Sequence, residues 1–321
     1  MDAEDRGRTG PQGACADLAI VIVSYNTRDM LRACLAALPA ASGGLAIQTF
    51  VVDNASADGS AQMVADEFPG VDLTAGTTNS GAVDDVAAAS EVCRRHQLWL
   101  HVDGAYGGAA IFSDRHRNLV RGIELADSLT IDPHKWLAMP FSAGVILTRH
   151  PQVLSRAFGV STPYMPKDGS AQNVDLFRIS TQWSRRMNSL KLWLTLRVHG
   201  RQAYEEHIDR QLRLARSFAS WVKSSPDYEL TVEPALTIVN FRIRPEGRND
   251  EQMAAANNAI VEAVTADGTS WISETRVNGR SVMRMMVISY LTEERHMQSL
   301  QQALSQAAAA VHGAAAKKQG S

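Results

Sequence analysis

His101-Val102-Asp103-Gly104-Ala105-Tyr106-Gly107-Gly108 and, about thirty positions later, Asp132-Pro133-His134-Lys135-Trp136 decide how this chain is read. Each follows a short apolar run, the buried-looking Leu98-Trp99-Leu100-His101-Val102 for the first and Ser128-Leu129-Thr130-Ile131 for the second, so each is a strand that ends in a polar turn. Charged residues thus stand at strand ends, where open α/β sheets bind ligands. A lysine just past a strand, between His and Trp, is expected to be partly desolvated, which lowers its pKa and frees the amine to attack an aldehyde. A carboxylate at the neighbouring strand end can keep a pyridine nitrogen protonated. Those needs together describe a pyridoxal phosphate site, with a Schiff-base lysine, an aspartate for the pyridinium and a ring that takes up electrons. Residue types alone leave open a plainer reading, a surface Lys beside a Pro turn and an Asp that merely ends a strand.

Outward from this pair, the pattern upstream alternates strands and helices. Leu18 to Val23 reads as a strand, Met30, Leu31, Cys34, Leu35 and Leu38 follow at helical spacing, and Thr49 to Val52 is a second strand. Asp53 to Ser60 is a turn cluster, and Met63, Val64 and Phe68 mark another helix, a β-α-β-α order typical of a parallel sheet. A helix near 83–95 leads into the first motif, and Gly144-Val145-Ile146-Leu147 follows the second. From about 188 the texture changes: a long helix from Leu190 to about Val222 precedes an alternating strand at 237–243 and another at 282–289, which reads as a smaller α+β domain.

The chain has 321 residues, 45% of them hydrophobic and 21% charged, enough for two domains with a sizeable core. A net charge of -2 provides no field to gather nucleic acid or an anionic membrane, and no stretch of 18 apolar residues offers a span. Three widely spaced cysteines without a CxxC read as free thiols in a reducing compartment, so a cytoplasmic location is expected. Phosphate-loop, HExxH and GxSxG motifs are absent, and the nine histidines show no ligand spacing, so no metal site is expected.

The wording of several motifs resembles the group II pyridoxal-dependent decarboxylases, the family of aromatic-L-amino-acid and glutamate decarboxylases. The resemblance runs from about 74 to 310 and rests on Gly76-Thr77-Thr78-Asn79-Ser80-Gly81-Ala82-Val83-Asp84-Asp85, on both motifs above, and on Arg185-Arg186-Met187-Asn188-Ser189-Leu190-Lys191-Leu192-Trp193. It implies pyridoxal 5'-phosphate as cofactor, Lys135 as its covalent attachment, Asp103 on the pyridinium nitrogen, His134 beside the phosphate, and Thr78 and Ala105 against the ring and its substituents. Asp132 stands where many relatives have Asn. Tyr164, in Ser161-Thr162-Pro163-Tyr164-Met165-Pro166, falls at the mobile-loop tyrosine that protonates the substrate carbon after carbon dioxide leaves; Phe there goes with oxidative chemistry. The resemblance therefore implies a carboxy-lyase acting on a small-molecule amino-acid substrate, aromatic L-amino acids first, as a homodimer.

Residues 17–73 resemble the opening of a family 2 glycosyltransferase instead, through Asp17-Leu18-Ala19-Ile20-Val21-Ile22-Val23-Ser24-Tyr25-Asn26 and Val51-Val52-Asp53-Asn54-Ala55-Ser56-Ala57-Asp58-Gly59-Ser60, which would make Asp53 a base-contacting residue. The expected organisation is a tail at 1–16, a glycosyltransferase-like β-α-β-α fragment at 17–75, the second half of an aspartate aminotransferase-like large domain at 76–187, a small C-terminal α+β domain at 188–310 and a tail at 311–321. The family switch is placed near 71–75. The half of the decarboxylase that carries the phosphate-cradling turn, the ring-stacking histidine and the dimer arm would then be missing, which makes a non-catalytic hybrid the alternative to an active enzyme.

Overall fold

The computed structural model describes residues 18–319 apart from 25–26, 54–55, 57, 76–80, 161–174, 246 and 278. The chain opens with β1 (Leu18–Ser24), α1 (Arg28–Ala41), β2 (Ile47–Asp53), α2 (Ser60–Glu67) and β3 (Val71–Ala75), and the three strands pair in parallel in the order β1-β2-β3. The two helix starts share one carboxylate: Asp58 accepts the Arg28 N–H at 2.9 Å, the Ser60 N–H at 3.0 Å and the Ser60 hydroxyl at 2.5 Å. The Ser60 hydroxyl, then the Arg28 amide, hold that carboxyl below its usual range. Leu31, Leu35, Val51, Met63 and Val64 form the core of this unit. The segment 71–75, where the sequence places a join between families, is a strand in register with β2 from Thr49↔Val71 to Asp53↔Ala75.

Next come α3 (Val86–His96), capped by the Asp85 carboxylate on Ala88 N–H, and a second sheet of β4 (His101–Asp103), β5 (Ser128–Ile131) and β6 (Val145–Thr148). β4 and β5 run parallel, β5 and β6 antiparallel, and three short 3-10 turns between 107 and 125 join β4 to β5. The run leading into β4 differs from expectation: Leu98 is 50% and Trp99 48% exposed, because β4 pairs only with β5 among the described strands and its other edge is open. After α4 (Val153–Phe158), α5 (Asn188–Ser224) is broken at Gly200, whose φ of 71° and ψ of 175° lie outside helical space, so the long helix expected from the sequence is two segments.

The small domain holds β7 (Tyr228–Leu230), β8 (Ile238–Ile243), α6 (Asp250–Thr265), β9 (Ser273–Val277), β10 (Arg280–Met286) and α7 (Glu294–Gln319), with antiparallel strands in the order β7-β8-β10-β9. β8 is buried at nearly every position rather than at alternate ones, since its second face is also covered: an ideal Cβ on Gly81 would lie 2.9 Å from the Ile238 Cβ. Residues 311–319, expected as a tail, continue α7, while 1–16 lie outside the described residues. Two cores meet along α5. Leu192, Leu196, Tyr204, Ile208 and Leu212 pack with Ala109, Ile123, Trp136 and Met139 beneath β4 and β5; from Leu214 onward the helix faces Phe241, Ile260, Met283 and Leu304.

Candidate active site

The site lies past the ends of two adjacent parallel strands. β4 ends at Asp103, opposite Thr130 of β5, and the chain then turns sharply, with Asp103 Oδ1 accepting the Ala105 N–H at 2.9 Å. Gly104 is required there: an ideal Cβ would come within 2.9 Å of Leu129 Cδ1 and 3.1 Å of the Thr130 carbonyl. The second turn is tied to the first by the Asp132 N–H, which donates to the Ala105 carbonyl at 3.0 Å, and it closes on itself through Lys135 N–H to Asp132 C=O at 2.9 Å. Asp103, Ala105, Asp132 and Lys135 are thereby brought onto one ledge.

Lys135 is not desolvated as the sequence led one to expect. Its side chain is 42% exposed, because Trp136, which was expected to flank it, turns inward and is completely buried. Lys135 Nζ instead pairs with Asp132 Oδ2 at 2.9 Å, which gives Asp132 a partner in the site other than a phosphate. His134 is half-buried. Its Nδ1 lies 2.6 Å from the Ala143 carbonyl and 3.2 Å from the Ala143 N–H, so both backbone groups of one residue meet the same ring nitrogen; the ring meets Phe141 edge to face with centroids 4.9 Å apart. Phe141 itself is 84% exposed. Thr78 and Tyr164 lie outside the described residues.

Sequence reasoning missed the supports behind this ledge. Lys191, quoted in a motif but given no role, donates from Nζ to the carbonyls of Pro140, Phe141 and Ser142 at 3.5, 3.4 and 3.2 Å, holding the loop that reaches His134. Tyr106 stacks on Trp136 with centroids 5.0 Å apart and an angle of 22°. A cation four turns downstream and a ring pair thirty residues apart leave no periodic signal to read. Two cavities, of about 540 Å³ beside Asp84, Asp85, Glu91 and Arg121 and about 150 Å³ beside Glu229, Arg242 and Arg280, contain none of the ledge residues. Among the described residues no helix is long and apolar enough to cross a membrane.

The pyridoxal-dependent decarboxylase conserved domain matches residues 61–244, more than half of the chain. The chain belongs to the pyridoxal-dependent decarboxylase family. Among curated relatives, an aromatic-L-amino-acid decarboxylase of Bacillus atrophaeus is 34% identical over 227 residues, 70% of this chain and 47% of that one. A tryptophan decarboxylase of Camptotheca acuminata is 33% identical over 227 residues, 70% of this chain and 46% of the relative, and a phenylacetaldehyde synthase of Arabidopsis thaliana is 30% identical over 224 residues, 69% of this chain and 46% of the relative. The chain spans about half the length of the curated relatives it matches. Among solved structures, Oryza sativa TDC with PLP and tryptamine superposes with a TM-score of 0.72 at 28% identity, over 91% of this chain and 62% of that one. Catharanthus roseus tryptophan decarboxylase in complex with L-tryptophan gives 0.70 at 27%, over 91% and 63%.

These likenesses correct the account of the N-terminal unit. The family match begins at residue 61, inside α2, ahead of the join placed near 71–75, and a superposition over 91% of the chain extends into β1–β3, because residues 76–321 fall short of that share. The glycosyltransferase resemblance of 17–73 gains no support from them. Asp53, the residue it singled out, is buried at the end of β2 with Oδ2 accepting the Ser56 N–H at 2.9 Å.

The ledge fits the family cofactor by the chemistry of its donors. An exposed primary amine is available to an aldehyde, and the Asp103 carboxylate has a second oxygen without a protein partner among the described residues. An imidazole is fixed at one nitrogen only.

Proposed function

We propose that this chain holds pyridoxal phosphate on Lys135 and Asp103 and acts as a decarboxylase of aromatic L-amino acids. The observation that carries this reading is the backbone tie from Asp132 N–H to Ala105 C=O, which joins the turn carrying Lys135 to the turn carrying Asp103 past the ends of β4 and β5. The decarboxylase names of the most similar relatives support the activity, and their aromatic substrates support the substrate class.

When bound, the cofactor supplies a sink for the electron pair released as the bond from Cα to the carboxylate breaks. The chain's own residues do the rest. Lys135 Nζ would hold the cofactor through its aldehyde, for which the amine must be neutral and must leave Asp132 Oδ2, now 2.9 Å away; Asp132 would be the acceptor for the Lys135 ammonium whenever the lysine is free. Asp103 would keep a proton at the ring nitrogen and His134 and Ala105 would border the cofactor, while Lys191 fixes the loop behind His134. Thr78 would contact the ring, and Tyr164 would deliver the proton to Cα. The first segment of α5 exposes Leu190, Trp193, Leu194 and Val198, an apolar stripe that a second copy would cover, and this supports a homodimer.

A second reading comes from the phenylacetaldehyde synthase relative, whose name indicates an aldehyde product. Tyr164 favours the amine. The test is the visible absorbance of the purified chain with pyridoxal phosphate, followed by borohydride reduction, peptide mass analysis and product assay with L-tryptophan. Label on Lys135, lost in Lys135→Ala, with tryptamine as product, is the expected result. Absence of a band, or label scattered over surface lysines, would leave a non-catalytic hybrid.

A further inference from the structure

The seam between the two cores along α5 is apolar, lined by Ile208, Leu212 and Leu236, yet several buried polar groups cross it. Trp136, one residue past Lys135, donates its indole N–H to Gln211 Oε1 at 2.6 Å, and the Gln211 amide donates to the Ser289 carbonyl at 2.8 Å. His207 Nε2 donates to the Trp136 carbonyl at 3.0 Å. Tyr106, three residues past Asp103, lies against the Trp136 ring, and its hydroxyl is bonded to that of Thr237. Trp136, Gln211 and Thr237 are all fully buried. Thr237 directly precedes β8, and Ser289 lies just beyond β10, its neighbour in the sheet. Each site turn is thus tied to the small domain, the Asp103 turn by Tyr106 bonding Thr237 directly and the Lys135 turn by Trp136 through the Gln211 amide of α5.

Packing alone does not call for this arrangement. Phe, Leu and Val would fill the same volume without the cost of desolvating an indole N–H, an amide and two hydroxyls. Buried polar groups that are all paired select one geometry, because any shift leaves a donor or acceptor unsatisfied. That matters at a site which must meet opposite ends of one ring, the aldehyde carbon and the pyridine nitrogen, where errors well under 1 Å count.

We infer that the Tyr106–Trp136 stack, held by Thr237 and Gln211, is a positioning device through which the small domain sets the Lys135 turn against the Asp103 turn. The inference rests on the proposed roles of Lys135 and Asp103. These four are positioning residues and touch no cofactor.

The test uses the full chain in two arms. In the first, without cofactor, backbone hydrogen exchange is followed in residues 104–108 and 133–137 of the wild type, Gln211→Met, Gln211→Glu, Thr237→Val and Tyr106→Phe/Thr237→Val. Leu214→Ala, in the small-domain core, is the control for a general loss of stability. Gln211→Met should speed exchange in both turns by about tenfold more than in the rest of the chain, as loss of a buried pairing implies. Gln211→Glu, which keeps the acceptor for the indole, should restore most of the protection at 133–137. Thr237→Val should loosen 104–108, and adding Tyr106→Phe should recover part of it, since neither partner is then left unpaired. In the second arm, with pyridoxal phosphate, the pH midpoint of the visible band should move in Gln211→Met and return in Gln211→Glu.

Exchange that rises uniformly, as in Leu214→Ala, with an unmoved midpoint, would overturn the inference. Should Gln211→Met fail to fold, Thr237→Val, which loses only one hydroxyl, decides the matter. A wild type that takes no label on Lys135 sinks the functional reading, and the exchange arm still reports whether the seam controls the two turns.

Discussion

The small-domain core and the N-terminal unit are built on different scales. Around Phe241, which is fully buried, Tyr228, Phe218 and Trp221 pack as a chain of rings, with Phe218 and Tyr228 edge-on to it at 5.4 and 5.7 Å, and three helices close over a four-stranded sheet. The unit of β1 to β3 has two helices and, among the described residues, five buried apolar side chains. Ile22, Leu38, Phe68, Val71 and Leu73 pack against these half-buried, and polar ties are added: Asp58 joins the two helix starts, and Arg32 clasps Glu67 with Nε to Oε2 at 2.7 Å and Nη2 to Oε1 at 2.9 Å. Burial scales with the number of covering layers, whereas exposed ion pairs contribute little in water, so the two regions should differ in how they fail.

The largest effect should come from deleting rings and branched chains in each core. Phe241→Ala is expected to cost ~3–5 kcal/mol and to destabilise the small domain as a whole. Leu35→Ala, also buried, is expected to cost ~2–4 kcal/mol and to release only the N-terminal unit, leaving the exchange protection of β7–β10 unchanged. Hydrogen exchange on both variants reads this directly; loss of protection throughout the chain in Leu35→Ala would show that the two regions form one cooperative unit.

A smaller effect is expected from pH, and it sharpens the contrast by acting on the seam. Burial holds His207 below its usual pKa, and burial together with Arg216 does the same to His116. The unfolded chain therefore takes up protons that the folded chain refuses, so stability is complete above about pH 6.5 and declines as the pH falls below it. His207→Gln, which can still donate to the Trp136 carbonyl, should flatten the fall in melting temperature between pH 7 and 5. An unchanged slope would show that His207 is free to protonate in the fold. At the alkaline end burial pushes the Tyr106 phenol up to about 12, so it remains the neutral partner of Thr237 throughout this range. The smallest effect is expected for Arg32→Ala, a slight fall in melting temperature confined to the N-terminal unit and reduced by salt. A larger, salt-independent loss would mean that the clasp, and not burial, holds that unit together.

Much of the fold was legible where a pattern repeats along the chain. The strands at 18–23, 49–52, 128–131 and 237–243 and the helices after the first two are found within a few residues of their expected places, since alternation and 3.6-residue spacing report local burial. β3 was not read, because Val71-Asp72-Leu73-Thr74-Ala75 has too few strongly apolar residues to stand out and lies where the wording of the sequence changes. Gly200 was passed over inside a helical pattern whose apolar spacing continues on both sides of the break. The fate of Lys135 was misjudged for a related reason. Its neighbours in sequence, His134 and Trp136, were expected to bury it, but side chains on a tight turn point in different directions, and Trp136 is drawn into the core while Lys135 stays in solvent.

By itself the sequence determined the family and the alternation of strands and helices around the two motifs, since these depend on residue type and local spacing. Tertiary structure alone decided that Lys135 rests on Asp132, that Lys191 closes the loop behind His134, and that Tyr106 and Trp136 are anchored in the small domain. Those contacts join residues up to 131 positions apart, and no periodicity encodes them. They exist because buried donors and acceptors must find partners wherever the packed chain brings them.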